Sequence, residues 1–365
     1  MIEDKTIAVV VPAYNEETQI GTVIETMPDF VDRIIIVNDC SRDKTSEIVG
    51  EYIKKQNPVK ELPEKEKTKK NRYNRAEQVA DRINTEEMKY FASSEIVNKK
   101  PETDRIILIN LLKNSGVGAA IARGYKWCKD NDIDVTAVMA GDGQMDPDEL
   151  YDICKPVIEE NIDYVKGNRL IHRSAWLVIP KVRFFGNSIL SILTKMASGY
   201  WHVSDTQTGY TAISKKALNS IRLYDIYKSY GMPNDMLVKL NIAFCTLKEV
   251  EIKPIYDIGE KSKMKVMKVI PKISWLLFRS FFKRLWIKYL FRDFHPLFLL
   301  YNLSFFLFIF AIPFAVDIIE KVFTKGESIL GNNLLIFVFL IISGFQSLLF
   351  AMWMDIQDNE RLYKS

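Results

Sequence analysis

Up to about residue 255 the chain alternates short β-branched apolar runs with segments of helical period, the rhythm of a mostly parallel βαβ sheet. Five runs read as strands: Ile7–Val11, Arg33–Asn38, Ile106–Asn110, Val135–Met139 and Tyr164–Lys166. Between them Glu17–Met27, Lys44–Lys55, Gly118–Asp130 and Pro147–Glu160 read as helices. The last opens on a first-turn proline preceded by Asp146, a capping residue. Polar residues at the strand ends, Pro12, Asp39, Asn114 and Asp142, then gather along one carboxyl edge, where open α/β sheets bind ligands.

The rhythm breaks from Gln56 to Asp104, a charged stretch with few large aliphatics that cannot bury enough surface to fold alone. It reads as an insertion, with a solvated helix over Arg75–Val97. The tail differs in kind. Phe294–Ile319 and Leu334–Met354 are apolar stretches, and about 20 helical residues at ~1.5 Å each match a hydrocarbon core of ~30 Å. They predict a two-helix transmembrane hairpin with a short loop, Glu320–Asn333. Just before it, Lys261–Arg292 holds ten basic and no acidic residues, interleaved with aromatics such as Trp275, Phe278 and Trp286. That suits amphipathic helices lying on an anionic leaflet. Nucleic-acid binders share the interleaving, but adjacency to two spans favours membrane lipids, and no nucleic-acid partner is expected. The loop carries Lys321 and Lys325 against Glu320 and Glu327, so the positive-inside bias puts both termini and the N-terminal α/β domain in the cytosol. The expected organisation is an α/β domain over 1–260, juxtamembrane helices over 261–293, and two spans with a short cytosolic tail over 294–365, in the cell membrane.

Charge and cysteine usage change little. A formal charge of +4 over 365 residues excludes no partner class. Cys40, Cys128, Cys154 and Cys245 are scattered without paired spacing, against a disulfide framework or metal cluster and in keeping with a reducing face. The polar opening MIEDKT predicts no signal peptide.

Candidate chemistry begins with Asp142 and Gln144, two oxygen side chains at i and i+2 on the loop leaving a strand. They can grip a divalent cation and, through it, a diphosphate. The plainer reading of this acidic turn is helix capping by Asp146 and Asp148. Asp39 at a strand end can accept from an imide N–H or a ribose hydroxyl, or shape a turn with Asn38. The Asn114–Gly124 run lacks the Lys-Ser/Thr of a P-loop and the spacing of a dinucleotide fingerprint, so its glycines report close backbone approach. Arg169 and Arg183 carry guanidinium forks suited to a dianionic oxyanion, or else to solvated surface ion pairs.

In their order, AVVVPAYNEE, IIIVNDCSRDKT, LLKNSGVGAAIARG and MAGDGQMDPDEL resemble the family 2 glycosyltransferases, particularly membrane-associated enzymes that load a sugar onto polyprenyl or dolichyl phosphate. The resemblance implies a GT-A fold, an α/β nucleotide-diphospho-sugar transferase sheet. It implies that the backbone around Pro12, Ala13 and Tyr14 and the Asp39 carboxylate hold the base, with Glu16 facing the ribose. Asn114 and Gly116 would close over the nucleotide sugar, and Asp142, Gly143 and Gln144 would face its diphosphate through Mg²⁺ or Mn²⁺. Many relatives read Asp-Ala-Asp-Gly-Gln; here Ala140 stands at the first aspartate, leaving Asp146 as a replacement ligand. By resemblance to the dolichyl-phosphate mannosyltransferases, Arg169, Arg183 and Asn187 bind the lipid phosphate. Asp235 falls where many members carry a base, and Tyr256–Lys265 resembles a mobile loop whose Lys261, Ser262 and Lys263 touch phosphate.

The expected activity is therefore inverting transfer from a nucleotide sugar, UDP-GlcNAc or UDP-glucose, to dolichyl or polyprenyl phosphate. The alternatives are a GDP-mannose-dependent dolichyl-phosphate mannosyltransferase, a transferase to a glycan or glycolipid hydroxyl, and a non-catalytic membrane scaffold. Ser343 and Gly344 in the second span suit helix contacts, which leaves a homo-oligomer open without fixing the oligomeric state.

Overall fold

A computed structural model describes residues 2, 4–62, 72–179, 181–255, 266–321 and 331–364, with backbone alone at 181–185, 187 and 266–268. Strand β1 (Ile7–Ala13) is apolar at successive rather than alternate positions because both of its faces are covered. Ala8 and Val10 enter one core, and Ile7, Val9 and Val11 enter the other. The chain continues through α1 (Ile20–Glu25), β2 (Arg33–Asn38), α2 (Thr45–Lys55), α3 (Arg75–Glu86), β3 (Ser94–Ile96) and β4 (Ile106–Leu111). Then come α4 (Val117–Asp130), β5 (Val135–Val138), α5 (Leu150–Glu159), β6 (Tyr164–Asn168), α6 (Ala175–Val178) and α7 (Lys181–Ser198). The domain closes with β7 (Thr211–Ser214), α8 (Lys215–Ser220), α9 (Met232–Ile242) and β8 (Leu247–Glu251). After it follow α10 (Val266–Trp286), α11 (Pro296–Ile319), α12 (Gly331–Glu360) and β9 (Tyr363–Lys364).

Among the described residues the strands form one sheet in the order β3-β4-β2-β1-β5-β7-β6-β8-β9. Its centre is parallel, as the pattern predicts, with Val10 opposite both Ile35 and Val138. The mixed character comes from β7, antiparallel to both β5 and β6, and from the antiparallel edge strand β3. Helices α4, α8 and α9 cover one face through residues such as Tyr125, Leu218 and Leu237. Helices α1, α2 and α5 cover the other through Val23, Val49 and Ile153.

Each of the five predicted strands forms, with ends shifted by at most two residues. The predicted helix at Glu17–Met27 shortens to α1, because residues 16–19 close a turn in which Gln19 N–H donates to the Glu16 carbonyl at 3.0 Å. Asp146 does cap its helix start: its carboxylate accepts from Asp148 N–H at 3.0 Å, over a 3₁₀ turn, Pro147–Glu149, that leads into α5. The expected helix over Arg75–Val97 stops at Glu86. It is solvated, with no buried residue. Beyond it Phe91 and Ala92 pack on the core, and the chain joins the sheet as β3, with Arg123 Nε donating to Ser94 Oγ at 2.8 Å. Part of the insertion thus folds on the domain that it could not replace.

Helices α11 and α12 are long and apolar enough to cross a membrane, with mean hydropathy 2.2 and 2.5. Only 28% and 11% of their apolar windows are buried, unlike a core helix. Ser304 Oγ donates to the Gly344 carbonyl at 2.8 Å, and Asn333 Nδ2 donates to Asp317 at 2.9 Å, so the two run antiparallel. Gly344, read from sequence as suited to helix contacts, faces Phe308 and Leu307 of α11.

The C-terminal boundary differs most from expectation. The end of α12 is bound to the domain, and β9 pairs with β8 while Leu362 enters the domain core. Wholly buried Arg284 on α10 donates to both Asp355 oxygens at 2.8 and 2.7 Å. Lys288, in the π-helical turn Ile287–Arg292, donates to Asn241 of α9 at 3.1 Å and to Asn359 of α12 at 2.5 Å. The hairpin therefore leaves the domain and returns to the same side of it.

Candidate active site

The carboxyl edge of the sheet is a lattice of short loops tied to one another. After β1, Asn15 N–H donates to Ser41 Oγ and Glu16 N–H to Thr45 Oγ1, both at 2.9 Å. Asn15 adopts φ 54°, a left-handed turn that asparagine tolerates. These bonds hold the Pro12, Ala13, Tyr14 and Glu16 turn against the start of α2. On the other side, Gly141 N–H donates to the Pro12 carbonyl at 3.2 Å, which joins this turn to the loop carrying Asp142.

Asp39 is buried, and its two oxygens accept from Ser115 N–H at 2.6 Å and Gly116 N–H at 2.8 Å. Asn114 Nδ2 donates back to the Asp39 carbonyl at 3.3 Å. Burial raises the Asp39 carboxyl above its ordinary value, and the two N–H groups offset part of that rise. Asp39 therefore shapes the glycine loop, a role the sequence reading did not assign. The glycines do report close approach. Gly116 has φ 92°, and a Cβ there would meet the Lys228 carbonyl oxygen at 2.2 Å; at Gly118 it would meet the Tyr227 carbonyl oxygen at 2.0 Å. Gly118 N–H donates to Lys228 at 3.1 Å.

Asp142 and Gln144 meet Arg169 across one cleft, lined also by Glu149, Thr208, Tyr210 and Lys253. Gly143 takes φ 75° between them, and Gln144 N–H donates to Asp142 Oδ1 at 3.1 Å. The donor set suits Mg²⁺ or Mn²⁺, hard cations that commonly take one or two protein oxygens and complete their shell with substrate phosphates. Among the described residues Gln144 Nε2 is buried without a protein partner, the kind of polar group that a bound ligand satisfies. Among the described residues no group of three His, Cys, Asp or Glu gathers to hold a metal unaided. Asp146, the candidate replacement ligand, has protein partners of its own. It caps the 3₁₀ turn and pairs with Lys253 at 2.9 Å, which holds its carboxyl below the usual range despite burial.

Arg169 is not a solvated surface arginine. It binds Asp205 through Nε at 2.8 Å and Nη2 at 3.1 Å, and its own N–H approaches Asp205 at 3.3 Å. Burial alone would raise the Asp205 carboxyl; the guanidinium overrides it and holds it low. The arginine is thus a fixed cation on the cleft wall. Arg183 and Asn187 lie on the first two turns of α7, and their side chains fall outside the described residues, as do Tyr256–Lys265 with Lys261, Ser262 and Lys263.

Asp235 does not line the cleft. It is buried on α9, accepting from Tyr227 N–H at 2.8 Å and Lys239 Nζ at 2.5 Å. Those bonds hold the 227–228 turn that covers Gly116 and Gly118.

Three groups were missed. Lys166 is fully buried in β6 and donates to the Thr208 carbonyl; burial pushes its ammonium down to about 8 against the pull of Asp205 and Glu249. Glu249, opposite it on β8, accepts from Ser204 and Asp205 N–H, and burial raises its carboxyl. Asp205 completes the set. A charged residue inside the apolar run Tyr-Val-Lys-Gly-Asn was the signal available for Lys166.

The chain matches the glycosyl transferase family 2 over residues 8–81 and 92–222. It is 30% identical over 259 residues to a UDP-N-acetylglucosamine–dolichyl-phosphate N-acetylglucosaminyltransferase of Methanococcus voltae, covering 69% of this chain and 87% of that one. It is 26% identical over 252 residues to an uncharacterised protein of Methanocaldococcus jannaschii, covering 68% and 82%. A crystal structure of glucosyl-3-phosphoglycerate synthase from Mycobacterium tuberculosis is similar at 16% identity and TM-score 0.45, covering 77% of this chain and 81% of that one. The same synthase has been crystallised with Mn²⁺, UDP and phosphoglyceric acid, at TM-score 0.45 and 16% identity, covering 77% and 78%. With its motifs in order along a GT-A sheet, the chain belongs to glycosyl transferase family 2 and is a glycosyltransferase.

Proposed function

We propose that this glycosyltransferase moves N-acetylglucosamine from UDP-N-acetylglucosamine to a dolichyl or polyprenyl phosphate at the cytosolic leaflet, with glucose as the second sugar to test. One observation carries the reading: the Asp142–Gln144 turn and the anchored cation of Arg169 line a single cleft, in a chain whose last helices suit a membrane. The activity of the Methanococcus voltae relative supports the donor and the acceptor.

In this reading the loops after β1 and β2 seat the uridine, with Asp39 holding the 115–116 backbone in place. Asp142 and Gln144 would hold Mg²⁺ or Mn²⁺, which supplies positive charge to the diphosphate as it leaves. Arg169, with Arg183 and Asn187 from α7, orients the acceptor phosphate. A phosphate oxygen attacks the anomeric carbon from the face opposite the UDP oxygen; the new C–O bond forms as the old one breaks, inverting the centre. Because the second phosphate pKa is near ~6, the acceptor is already a nucleophile at pH 7 and needs no base. The placement of Asp235, bound to Lys239 and Tyr227 away from the cleft lining, favours this acceptor over a sugar hydroxyl, which would require a base. Ten basic residues over 261–292, against two lysines and two glutamates in the 320–333 loop, support a cytosolic catalytic domain.

The test is a panel assay on the full-length protein in detergent, with a polyprenyl phosphate, each labelled nucleotide sugar in turn, and Mg²⁺, Mn²⁺ or EDTA. An acid-labile glycolipid formed from UDP-N-acetylglucosamine, lost with EDTA and in Asp142→Ala, is the expected result. Transfer to an added glycan but never to the lipid phosphate would overturn the reading.

A further inference from the structure

The returning tail reaches the same wall of the cleft as Arg169. Leu247 N–H donates to the Leu362 carbonyl at 2.7 Å, where β9 begins its pairing with β8. The Tyr363 ring lies 5.5 Å from that of His202, and its hydroxyl lies 3.5 Å from Glu249 Oε2. The same carboxylate accepts from Ser204 N–H at 2.9 Å and from Asp205 N–H at 3.0 Å. Asp205 in turn holds Arg169 at two points. At its other end the tail is fixed by Asp355 and Asn359, bound to Arg284 of α10 and to Lys288 of the π-helical turn after it.

We propose that Glu249 and Tyr363 are positioning residues for Arg169, through which the returning end of the second span sets the arginine on the cleft wall. The inference rests on the reading that Arg169 meets the acceptor phosphate. Its physical logic is a matter of reference frames. An acceptor embedded in a bilayer arrives at a depth set by its headgroup, so the group that meets it must be held relative to the anchor. A guanidinium on a loop has no such reference by itself. Here its partner Asp205 sits on a backbone segment clamped by Glu249 of β8, the strand that lies between β6 and the strand that ends the anchor.

The experiment compares steady-state KM for a polyprenyl phosphate and for the nucleotide sugar in the full-length enzyme. Glu249→Ala is expected to raise the acceptor KM about tenfold while the donor KM stays within about twofold. Glu249→Gln, which keeps one accepting oxygen, should fall between it and the parent. Tyr363→Phe, which leaves the core contacts of Leu362 intact, should raise the acceptor KM about two- to threefold; it carries the test if Glu249→Ala does not fold. Arg169→Ala combined with Glu249→Ala should be no worse for the acceptor than Arg169→Ala alone. If Glu249→Ala and Tyr363→Phe shift both KM values equally, or if the double variant is additive, the positioning role is wrong. An acceptor effect in Arg169→Ala with none in the Glu249 and Tyr363 variants overturns the positioning role alone. An Arg169→Ala enzyme with an unaltered acceptor KM overturns the acceptor reading and this inference together.

Discussion

Replacing Asp355 by asparagine probes the joint between anchor and catalytic sheet. Arg284 and Asp355 are both 0% exposed, joined by two hydrogen bonds of 2.8 and 2.7 Å. Asparagine keeps the shape and removes the charge, so a guanidinium that cannot lose its proton is left buried. Breaking a buried pair from one side costs ~3–5 kcal/mol. Arg284 keeps the carbonyls of Ala197 at 2.9 Å and Met196 at 3.0 Å, which points to the lower end of that range. For a chain of this size ~2 °C of melting temperature accompanies each kcal/mol, so Asp355→Asn should melt about 6 °C lower. Thermal unfolding in detergent, followed by tryptophan fluorescence, reads this directly. The double variant Arg284→Met/Asp355→Leu, which removes both charges together, should recover most of the loss, because buried pairs exchange for apolar groups at little net cost. A shift below about 1 °C in Asp355→Asn, or a double variant that melts below it, would refute the reasoning.

Other expectations follow from the site. Gly118→Ala sets a Cβ 2.0 Å from the Tyr227 carbonyl oxygen, so the 227–228 turn must move. A loss of ~1–3 kcal/mol in thermal stability and weaker UDP binding by calorimetry should accompany the change, and unaltered binding would contradict it. Lys166 sits at about 8 when folded and at 10.5 when unfolded, so between those values the unfolded chain binds more protons and stability rises with pH. Unfolding at a series of pH values should show that rise in the parent and lose it in Lys166→Met, whereas parallel curves would disprove the burial argument. Asp235→Asn should leave catalysis within about tenfold of the parent while lowering the melting temperature, since its carboxylate holds Lys239 and Tyr227 rather than a substrate proton. Loss of all turnover in a variant that still melts like the parent would restore it as a base.

Much of this was legible in the chain because burial on both faces of a parallel sheet writes continuous apolar runs, and Ile7–Val11, Arg33–Asn38 and Ile106–Asn110 are such runs. The strands β7 and β8 were not read: Thr-Ala-Ile-Ser is short, and Leu-Lys-Glu-Val-Glu is half polar because it lies toward the sheet edge. Asp142 and Gln144 stood out because their spacing on a turn has a chemical meaning by itself. Glu249 and Asp205 did not, because their roles depend on partners 44 residues apart in sequence.

The amino-acid order therefore determined the strands and helices, the apolar spans, the family motifs and the oxygen pair, all of them set by local period or local spacing. Tertiary structure alone decided which charges are partners. It set Asp146 against Lys253, Asp235 against Lys239 and Tyr227, and Gly344 against Phe308 of the same hairpin. It also brought the tail back into the sheet, because β8 left an open strand edge and the buried Arg284 required a carboxylate that the end of α12 supplies.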